Sequence, residues 1–170
     1  MNTFFLLFQL INLAIFTAFI LAKKERPDAI PLIDIRAIKL LRLTYPLPIL
    51  AFTWSLFLVG NVMALDWVCL VIAVVGTVLV VKGKTDLGAY HTWAGYYLPY
   101  SSRIRRGIFS WLPHPMYAGI IMVILSCSAV YVTRLPWYIS AFALICCAYT
   151  SLFLIVVALR EEKLLVEARA

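Results

Sequence analysis

The stretch PMYAGIIMVILSCSAVYVTRLPWYISAFALICCAYTSLFLIVVAL, residues 115–159, contains two long apolar runs separated only by the short sequence TRLP. We place one span at residues 115–132 and a longer one at residues 135–159. As helices that rise about 1.5 Å per residue, both can cross about 30 Å of hydrocarbon. The short connection makes them antiparallel neighbours. The second exceeds the length that a perpendicular span needs, which predicts tilt or continuation into the cytoplasm.

Three further apolar runs, at residues 3–22, 46–64 and 65–81, bring the expected number of transmembrane helices to five. Hydrophobic residues make up 64% of the 170 residues and charged residues only 14%, a balance that a water-soluble core cannot bury. Because the second and third spans are joined so closely, we expect them to form an antiparallel hairpin. The sequence predicts an all-α integral membrane protein with a single domain over residues 1–170.

The basic residues indicate how these helices are oriented. Of the 15 lysines and arginines, all except Arg134 fall in the connections at residues 23–45 and 82–114 or in the tail from residue 160. Positive residues collect in cytoplasmic loops, so we expect the N-terminus outside and the C-terminus in the cytoplasm. The same bias, with attraction to anionic headgroups of membrane lipids, accounts for the net charge of +7 without a nucleic-acid partner.

The cysteines give no sign of a metal site or of redox chemistry. All four of them, Cys69, Cys127, Cys146 and Cys147, fall within predicted spans and lack the spacing of metal ligands. We interpret them as buried thiols that behave as small hydrophobic residues. A Ser/His/Asp arrangement and a Gly-rich phosphate loop are also absent from the sequence.

Two of the connections are amphipathic. The first contains IDIRAIKLLRL, residues 33–43, in which basic residues recur every three positions between apolar ones. This pattern is typical of a helix in the membrane interface, with its basic side towards the headgroups and its apolar side towards the acyl chains. Such a helix either anchors the chain or offers a site to an amphiphilic substrate. The connection at residues 82–114 is rich in Tyr, Trp and Phe. These rings either form an interfacial belt or attract a compact cation, and both interpretations stay open.

The stretch RGIFSWLPHPMYAG, residues 106–119, leads into the fourth span. Pro115 suits the first position of a helix, so the helix starts near His114, with free N–H groups that attract an anion or a carboxylate. Tyr117 shares a helix face with His114, and Gly119 permits a ligand or another helix to approach closely. The stretch alone is equally compatible with a proline-capped helix that carries an interfacial histidine.

The tail LREEKLLVEARA, residues 159–170, places Arg160, Glu161 and Glu162 directly at the membrane surface. The paired carboxylates are either a solvated helix end or ligands for hydroxyl or amino groups. Because the fourth and fifth spans are antiparallel, the tail and the start of the fourth span are expected to meet at the same cytoplasmic face.

Three elements of the second half resemble one enzyme family. They are GIF at residues 107–109, HPMYAG at 114–119 and EEKLL at 161–165. Together they resemble the isoprenylcysteine carboxyl methyltransferase and phospholipid methyltransferase family of integral membrane enzymes, from Leu87 to the end of the chain. The resemblance implies S-adenosyl-L-methionine in a cytoplasm-facing pocket formed by residues 82–119 and 160–170. It also implies methyl transfer to a lipophilic acceptor, isoprenoid or phospholipid-like, that enters from the bilayer.

The resemblance further implies which residues contact the cofactor. They are Arg103, Ile104, Phe109, His114, Pro115, Met116, Tyr117, Glu161 and Glu162. We expect His114 to orient the cofactor rather than to act as a base, and no side chain is assigned as catalytic. We expect Arg160 to contact the head of the acceptor.

Three features depart from the family pattern. Pro113 stands where the family usually has an arginine before His-Pro, and Val157 stands where it often has an arginine associated with the substrate. The chain also ends at Ala170, without the longer tail of many relatives. These differences leave the identity of the acceptor open.

Two other functions are compatible with the sequence. The first is an NADPH-dependent membrane reductase of the sterol or steroid type, for which Arg103, Arg105 and Arg106 supply phosphate contacts. The second is a non-catalytic membrane scaffold protein. A nicotinamide dinucleotide is large for the pocket that five spans can build. The methyltransferase is therefore favoured over the reductase.

Overall fold

The computed structural model describes residues 3–22, 27–58, 61–99 and 106–167, with side chains through Leu164. The helices are α1 Thr3–Leu21, α2 Ile35–Thr44, α3 Pro46–Phe57, α4 Ala64–Leu87, α5 Pro115–Tyr131 and α6 Trp137–Glu167. Two short strands, β1 Ile30–Pro31 and β2 Tyr96–Tyr97, and 3-10 turns at Gly88–Tyr90 and Gly107–Ser110 complete the described structure. The fold is all-helical, as predicted.

Four helical segments are long and apolar enough to cross a membrane. They are Thr3–Leu21, Ile35–Phe57, Ala64–Tyr90 and Trp137–Leu164. α5 is also apolar but has only 17 residues, and therefore spans about 25 Å at about 1.5 Å per residue. Large apolar side chains such as Leu50 and Ile145 are exposed on the outside of the bundle. These are the features of an integral membrane protein.

Three of the predicted spans have different ends in the structure. The second span, predicted at 46–64, ends at Phe57, whereas the third and the fifth continue to Leu87 and Glu167. An apolar run shows which residues can lie in lipid. A helix can continue past the end of that run where packing and hydrogen bonding stabilise it. The continuation of the last helix, one of the two predicted outcomes, places the paired glutamates on α6 itself.

α4 and α5 pack closely through glycines. A Cβ added to Gly76 of α4 would lie 2.6 Å from the carbonyl oxygen of Gly119 of α5. Small residues permit this backbone approach between membrane helices, in agreement with the close approach predicted at Gly119. α1 packs on α4, whereas α3 packs on α5 and α6. Within the described ranges α3 and α4 are not a closely packed pair, so the antiparallel hairpin expected of the second and third spans stays a prediction.

Arg134, the one basic residue outside the three basic segments, forms an ion pair with Asp66. Nη2 of Arg134 lies 2.6 Å from Oδ1 of Asp66, and Asp66 is only 1% exposed. Oδ2 of the same carboxylate accepts a hydrogen bond from the N–H of Met63 at 2.8 Å. Because a charge is costly to bury without a partner, this pair holds the α5–α6 connection against the start of α4.

The first connection folds over the loop that follows α4. β1 pairs antiparallel with β2, with Ile30 opposite Tyr97. The N–H of Leu32 donates to the carbonyl oxygen of Gly95 at 2.8 Å. Gly95 has a φ of 90°, a conformation that favours glycine. Residues 27–45 and 88–99 are termed the cover layer below.

α2 is the central element of the cover layer. Ile38 and Leu41 are buried and pack with Phe153 and Val157 of α6. The expectation that the apolar side of this helix faces acyl chains is therefore wrong for Ile38 and Leu41, which contact protein. The helix is fixed to the bundle rather than laid only on the membrane surface.

Candidate active site

The start of α5 and the C-terminal part of α6 meet through four side chains. Oη of Tyr117 donates a hydrogen bond to Oε1 of Glu161 at 2.7 Å. Nδ1 of His114 lies 3.5 Å from Oε2 of Glu161, and Nε2 of His114 lies 3.7 Å from Oε1 of Glu162. The rings of His114 and Tyr117 stack with centroids 5.6 Å apart. The two motifs that were expected to share one face are in direct contact.

The local sequence positions this helix start. Pro115 occupies the first turn of α5, and His114 is the residue that precedes it as the N-cap. The N–H of Ala118 donates to the carbonyl oxygen of His114 at 3.0 Å. The N–H groups of Met116 and Tyr117 therefore stand outside the intrahelical ladder. A helix start of this kind favours a negatively charged group.

These side chains line a cavity of about 280 Å3. Seven of the residues predicted to contact the cofactor are in its wall, namely Phe109, His114, Pro115, Met116, Tyr117, Glu161 and Glu162. The other two, Arg103 and Ile104, lie outside the residues that the structure describes. The structure thus gathers every described member of the predicted set around one cavity.

Aromatic side chains surround the same cavity. The cover layer contributes Tyr90, Trp93, Tyr96 and Tyr97, and the turn before α5 contributes Phe109. Aromatic faces attract a compact cation when water is excluded. Trp111, by contrast, is 91% exposed and has the position expected of an interfacial anchor. The aromatic residues of this connection are therefore divided between the cavity wall and the exposed surface.

Asp86, near the end of α4, fixes the turn that carries Phe109. Its Oδ2 accepts a hydrogen bond from the N–H of Ile108 at 2.9 Å, and its Oδ1 accepts one from the ammonium of Lys82 at 2.7 Å. Gly107 has a φ of 59°, and a Cβ there would overlap the Asp86 carboxylate. Sequence reasoning missed Asp86, because its partner is 22 residues away.

His91 is a second cavity residue that sequence reasoning missed. Burial, and to a smaller extent the positive charge of Lys84, lowers the pKa of His91 from 6.5 to about 4. His91 is therefore neutral near physiological pH. The ammonium of Lys84 donates to the carbonyl oxygens of Phe19 and Ala22, and these bonds fix the end of α1 beside the cavity.

Arg160 is not among the described residues that line the cavity. Its Nη1 donates a hydrogen bond to the carbonyl oxygen of Leu32 at 2.8 Å. Oη of Tyr149 similarly donates to the carbonyl oxygen of Ala37 at 2.9 Å. Arg160 thus links α6 to the cover layer, and Tyr149 makes a second such link earlier on the same helix.

The first half of the chain builds the apolar wall of the cavity. α1 and α3 contribute Phe16, Phe19, Ile20, Pro48 and Ile49. The sequence of the first half predicted only the number of spans and their orientation. Its apolar side chains gave no sign that they line a site. Its contribution depends on the tertiary packing of α1 and α3.

The described residues contain no group of His, Cys, Asp and Glu side chains that could hold a metal ion. All four cysteines are free and buried, as the sequence indicated. Around the cavity the described residues supply carboxylates, aromatic rings, one helix start and two histidines.

Comparison with known proteins agrees with these elements. The family model described as phospholipid methyltransferase matches residues 64–168, from the start of α4 into the C-terminal tail. The match begins earlier than the resemblance, which started at Leu87. No curated protein and no solved structure matches the chain significantly. Because the family model covers well over half of the chain and includes both motifs at the cavity, the chain belongs to the phospholipid methyltransferase family of membrane methyltransferases.

Proposed function

We propose that this protein transfers a methyl group from S-adenosyl-L-methionine to a lipophilic acceptor, isoprenoid or phospholipid-like, at the cytoplasmic face of the membrane. The observation that carries the proposal is the direct contact of the α5 motif with the α6 motif in one cavity. Tyr117 bonds Glu161 at 2.7 Å, and His114 lies within 3.7 Å of Glu162. Membership of a methyltransferase family supports the reaction type.

The groups around the cavity suit the cofactor chemically. The carboxylates of Glu161 and Glu162 suit its amino and hydroxyl groups, and the N–H groups of Met116 and Tyr117 suit its carboxylate. The aromatic wall suits a sulfonium cation. When bound, the cofactor supplies an electrophilic methyl group. His114 contacts both glutamates and thereby orients the carboxylates rather than accepting a proton from the acceptor.

The remaining task of the protein is to position the reactants and exclude water. Holding two reactants in line contributes about 7–11 kcal/mol to lowering a barrier. The cover layer serves this purpose, because β1–β2 pairing and the Arg160–Leu32 hydrogen bond hold it over the cavity. We therefore propose that Arg160 affects the acceptor only indirectly, because its hydrogen bond to Leu32 holds the cover layer over the cavity.

The basic residues support a cytoplasmic location of the site. Arg36, Lys39 and Arg42 lie on α2, and Lys82 lies next to the Phe109 turn. Such residues concentrate on the cytoplasmic side of membrane proteins. They also attract the anionic lipids of that leaflet, so an amphiphilic acceptor would be concentrated near the cover layer.

The size of the cavity favours S-adenosyl-L-methionine over a nicotinamide dinucleotide. Ligand pockets commonly enclose about 300–1,000 Å3, and this cavity, at about 280 Å3, lies at the lower limit. The smaller cofactor is therefore the better fit.

Calorimetry of the purified protein in detergent tests the identity of the cofactor. We expect S-adenosylhomocysteine to bind and to raise the melting temperature, since a ligand that binds only the native state stabilises it. We expect no binding of NADPH. His114→Ala and Glu162→Gln should each weaken binding of S-adenosylhomocysteine at least tenfold, while Lys163→Gln, at the exposed neighbouring position, should not. Binding of NADPH instead, or normal binding by both variants, would contradict the proposal.

A further inference from the structure

α2 carries basic and apolar side chains together on its exposed side. Its three basic residues are all exposed, namely Arg36, Lys39 and Arg42. Three large apolar residues of the same helix are exposed as well, namely Ile35, Leu40 and Leu43. At 3.6 residues per turn these six positions fall within one half of the helix circumference, and the buried Ile38 and Leu41 fall in the other. The six residues are termed the outer side of α2 below.

α2 lies at the level where the apolar sequence of α6 ends. Its buried side packs with α6 at Phe153 and Val157. Val157 stands three positions before Arg160, the first charged residue of α6, which is about 4.5 Å along the helix. A helix at this depth meets both the headgroups and the upper part of the acyl chains.

Two of the basic side chains on the outer side are available to a ligand. Within the described part of the chain, Arg36 and Lys39 have no carboxylate at ion-pair distance. Arg42, by contrast, lies over the Trp93 ring, with Cζ 4.8 Å from the ring centroid. Long basic side chains reach towards headgroups while their apolar neighbours stay in contact with hydrocarbon.

We infer that the outer side of α2 binds anionic phospholipid headgroups of the leaflet in which it lies, and that this contact stabilises the cover layer over the cavity. The phosphate oxygens would accept hydrogen bonds from the Arg36 guanidinium and the Lys39 ammonium. The exposed apolar residues at this depth favour a lipid over an acidic protein. This lipid is an effector rather than the methyl acceptor, since neither Arg36 nor Lys39 is among the described residues that line the cavity.

The buried side of α2 connects this surface to the cavity. Trp93 and Tyr117 pack against the cluster that contains Ile38 and Leu41, and both rings line the cavity. Holding α2 in place therefore holds two parts of the cavity wall. A ligand that binds only when α2 is in place favours that arrangement of the wall.

The cover layer has limited support of its own. β1 and β2 are strands of two residues each. The hydrogen bonds of Arg160 to Leu32 and of Tyr149 to Ala37 link the layer to α6. A segment held by short strands and by isolated hydrogen bonds opens at a lower free energy than the helical bundle. An additional contact with lipid should therefore change its opening measurably.

Hydrogen–deuterium exchange in nanodiscs tests the inference without the cofactor. The discs contain phosphatidylcholine alone or phosphatidylcholine with phosphatidylglycerol. One basic residue near an anionic surface contributes about fivefold to binding, so we expect the amides of α2 and of the β1–β2 pair to exchange at least fivefold more slowly in the anionic discs. The double variant Arg36→Gln/Lys39→Gln should lose this difference, whereas Lys163→Gln, exposed on α6, should keep it. Equal exchange of the wild type in both discs, or full slowing in the double variant, would overturn the inference.

Binding of S-adenosylhomocysteine in the same discs tests the connection to the cavity. We expect at least threefold tighter binding in the anionic discs for the wild type and for Lys163→Gln, and equal affinities in both discs for the double variant. The difference should shrink at high salt, because exposed charges are screened. An affinity of the wild type that is independent of lipid charge would overturn the connection. This second measurement rests on the proposed function: slowed exchange in a protein that binds no S-adenosylhomocysteine would support the lipid site and overturn the proposed function.

Discussion

Tyr117 on α5 donates a hydrogen bond to Glu161 on α6 at 2.7 Å, which joins two residues 44 positions apart in the chain. The same glutamate lies 3.5 Å from His114. The carboxylate of Glu161 thus connects the start of α5, where a negatively charged group is favoured, to α6, which carries both glutamates. The contact makes the packing of α5 on α6 and the geometry of the candidate site depend on one another.

Tyr117→Phe should weaken both the packing of α5 on α6 and the candidate site. A hydrogen bond to a charged group contributes about 1.5–3 kcal/mol, less where water screens it, so we expect a lower melting temperature and several-fold weaker binding of S-adenosylhomocysteine. Tyr138→Phe, at an exposed position near the other end of α6, should change neither. If both variants melt and bind alike, the Tyr117–Glu161 bond does not support the site.

Gly107→Ala should displace the Phe109 ring from the cavity. Gly107 has a φ of 59°, and an added Cβ would overlap the carboxylate of Asp86. Gly88→Ala is a matched control, because Gly88 has a φ of 52° and nothing within 4 Å of an added Cβ. Each substitution also costs stability, because both positions have a positive φ that favours glycine. We expect only Gly107→Ala to weaken binding of S-adenosylhomocysteine, by tenfold or more in calorimetry. Equal loss in both variants would assign the effect to backbone strain.

His91 predicts the pH dependence of stability. Its pKa is about 4 in the folded protein and 6.5 as a free group, so the unfolded chain binds more protons between these pH values. The stability that neutral His91 contributes is complete above pH 6.5 and is lost as the pH falls towards the folded value. Between about pH 7 and about pH 5 the melting temperature of the wild type should fall more than that of His91→Gln. Parallel curves for the two proteins would show that His91 is not buried as described.

Cysteine labelling tests the expected orientation. In a cysteine-free background, a cysteine at position 2 should react with a membrane-impermeant maleimide on intact cells, and one added after the last residue should not. This outcome follows from the distribution of basic residues, all but one of which lie in the three proposed cytoplasmic segments. The reverse pattern would place the cavity on the outer face and contradict a cytoplasmic methyltransferase.

The sequence predicts the second half of this fold better than the first, for physical reasons. Pro115 and Pro136 mark helix starts chemically, so α5 begins where predicted and α6 within two residues of it. The end of α3 at Phe57 has no comparable marker. The cover layer depends on the pairing of Ile30 with Tyr97, a long-range contact that local periodicity cannot reveal.

The residues of the candidate site were likewise predicted only in part. The meeting of His114 with Glu161 follows from two antiparallel helices with a short connection, and it was predicted. Asp86 and His91 were missed because their roles depend on burial and on partners distant in sequence. Arg160 is adjacent to the glutamates in sequence, but its side chain extends to Leu32 on the cover layer. Adjacent residues on a helix point in different directions, so proximity in sequence did not determine its contacts.

Transfer of labelled methyl groups from S-adenosyl-L-methionine into membrane lipid tests the central claim most directly. The protein is reconstituted in vesicles of total lipid extract, and label is measured in the organic phase and in a pool of soluble thiols, amines and acids. We predict label in the lipid fraction for the wild type and for Lys163→Gln, at least a tenfold loss for His114→Ala and Glu162→Gln, and none in the soluble pool. Label found only in water-soluble product, or full transfer to lipid by both site variants, would contradict a lipid methyltransferase built on the α5–α6 contact.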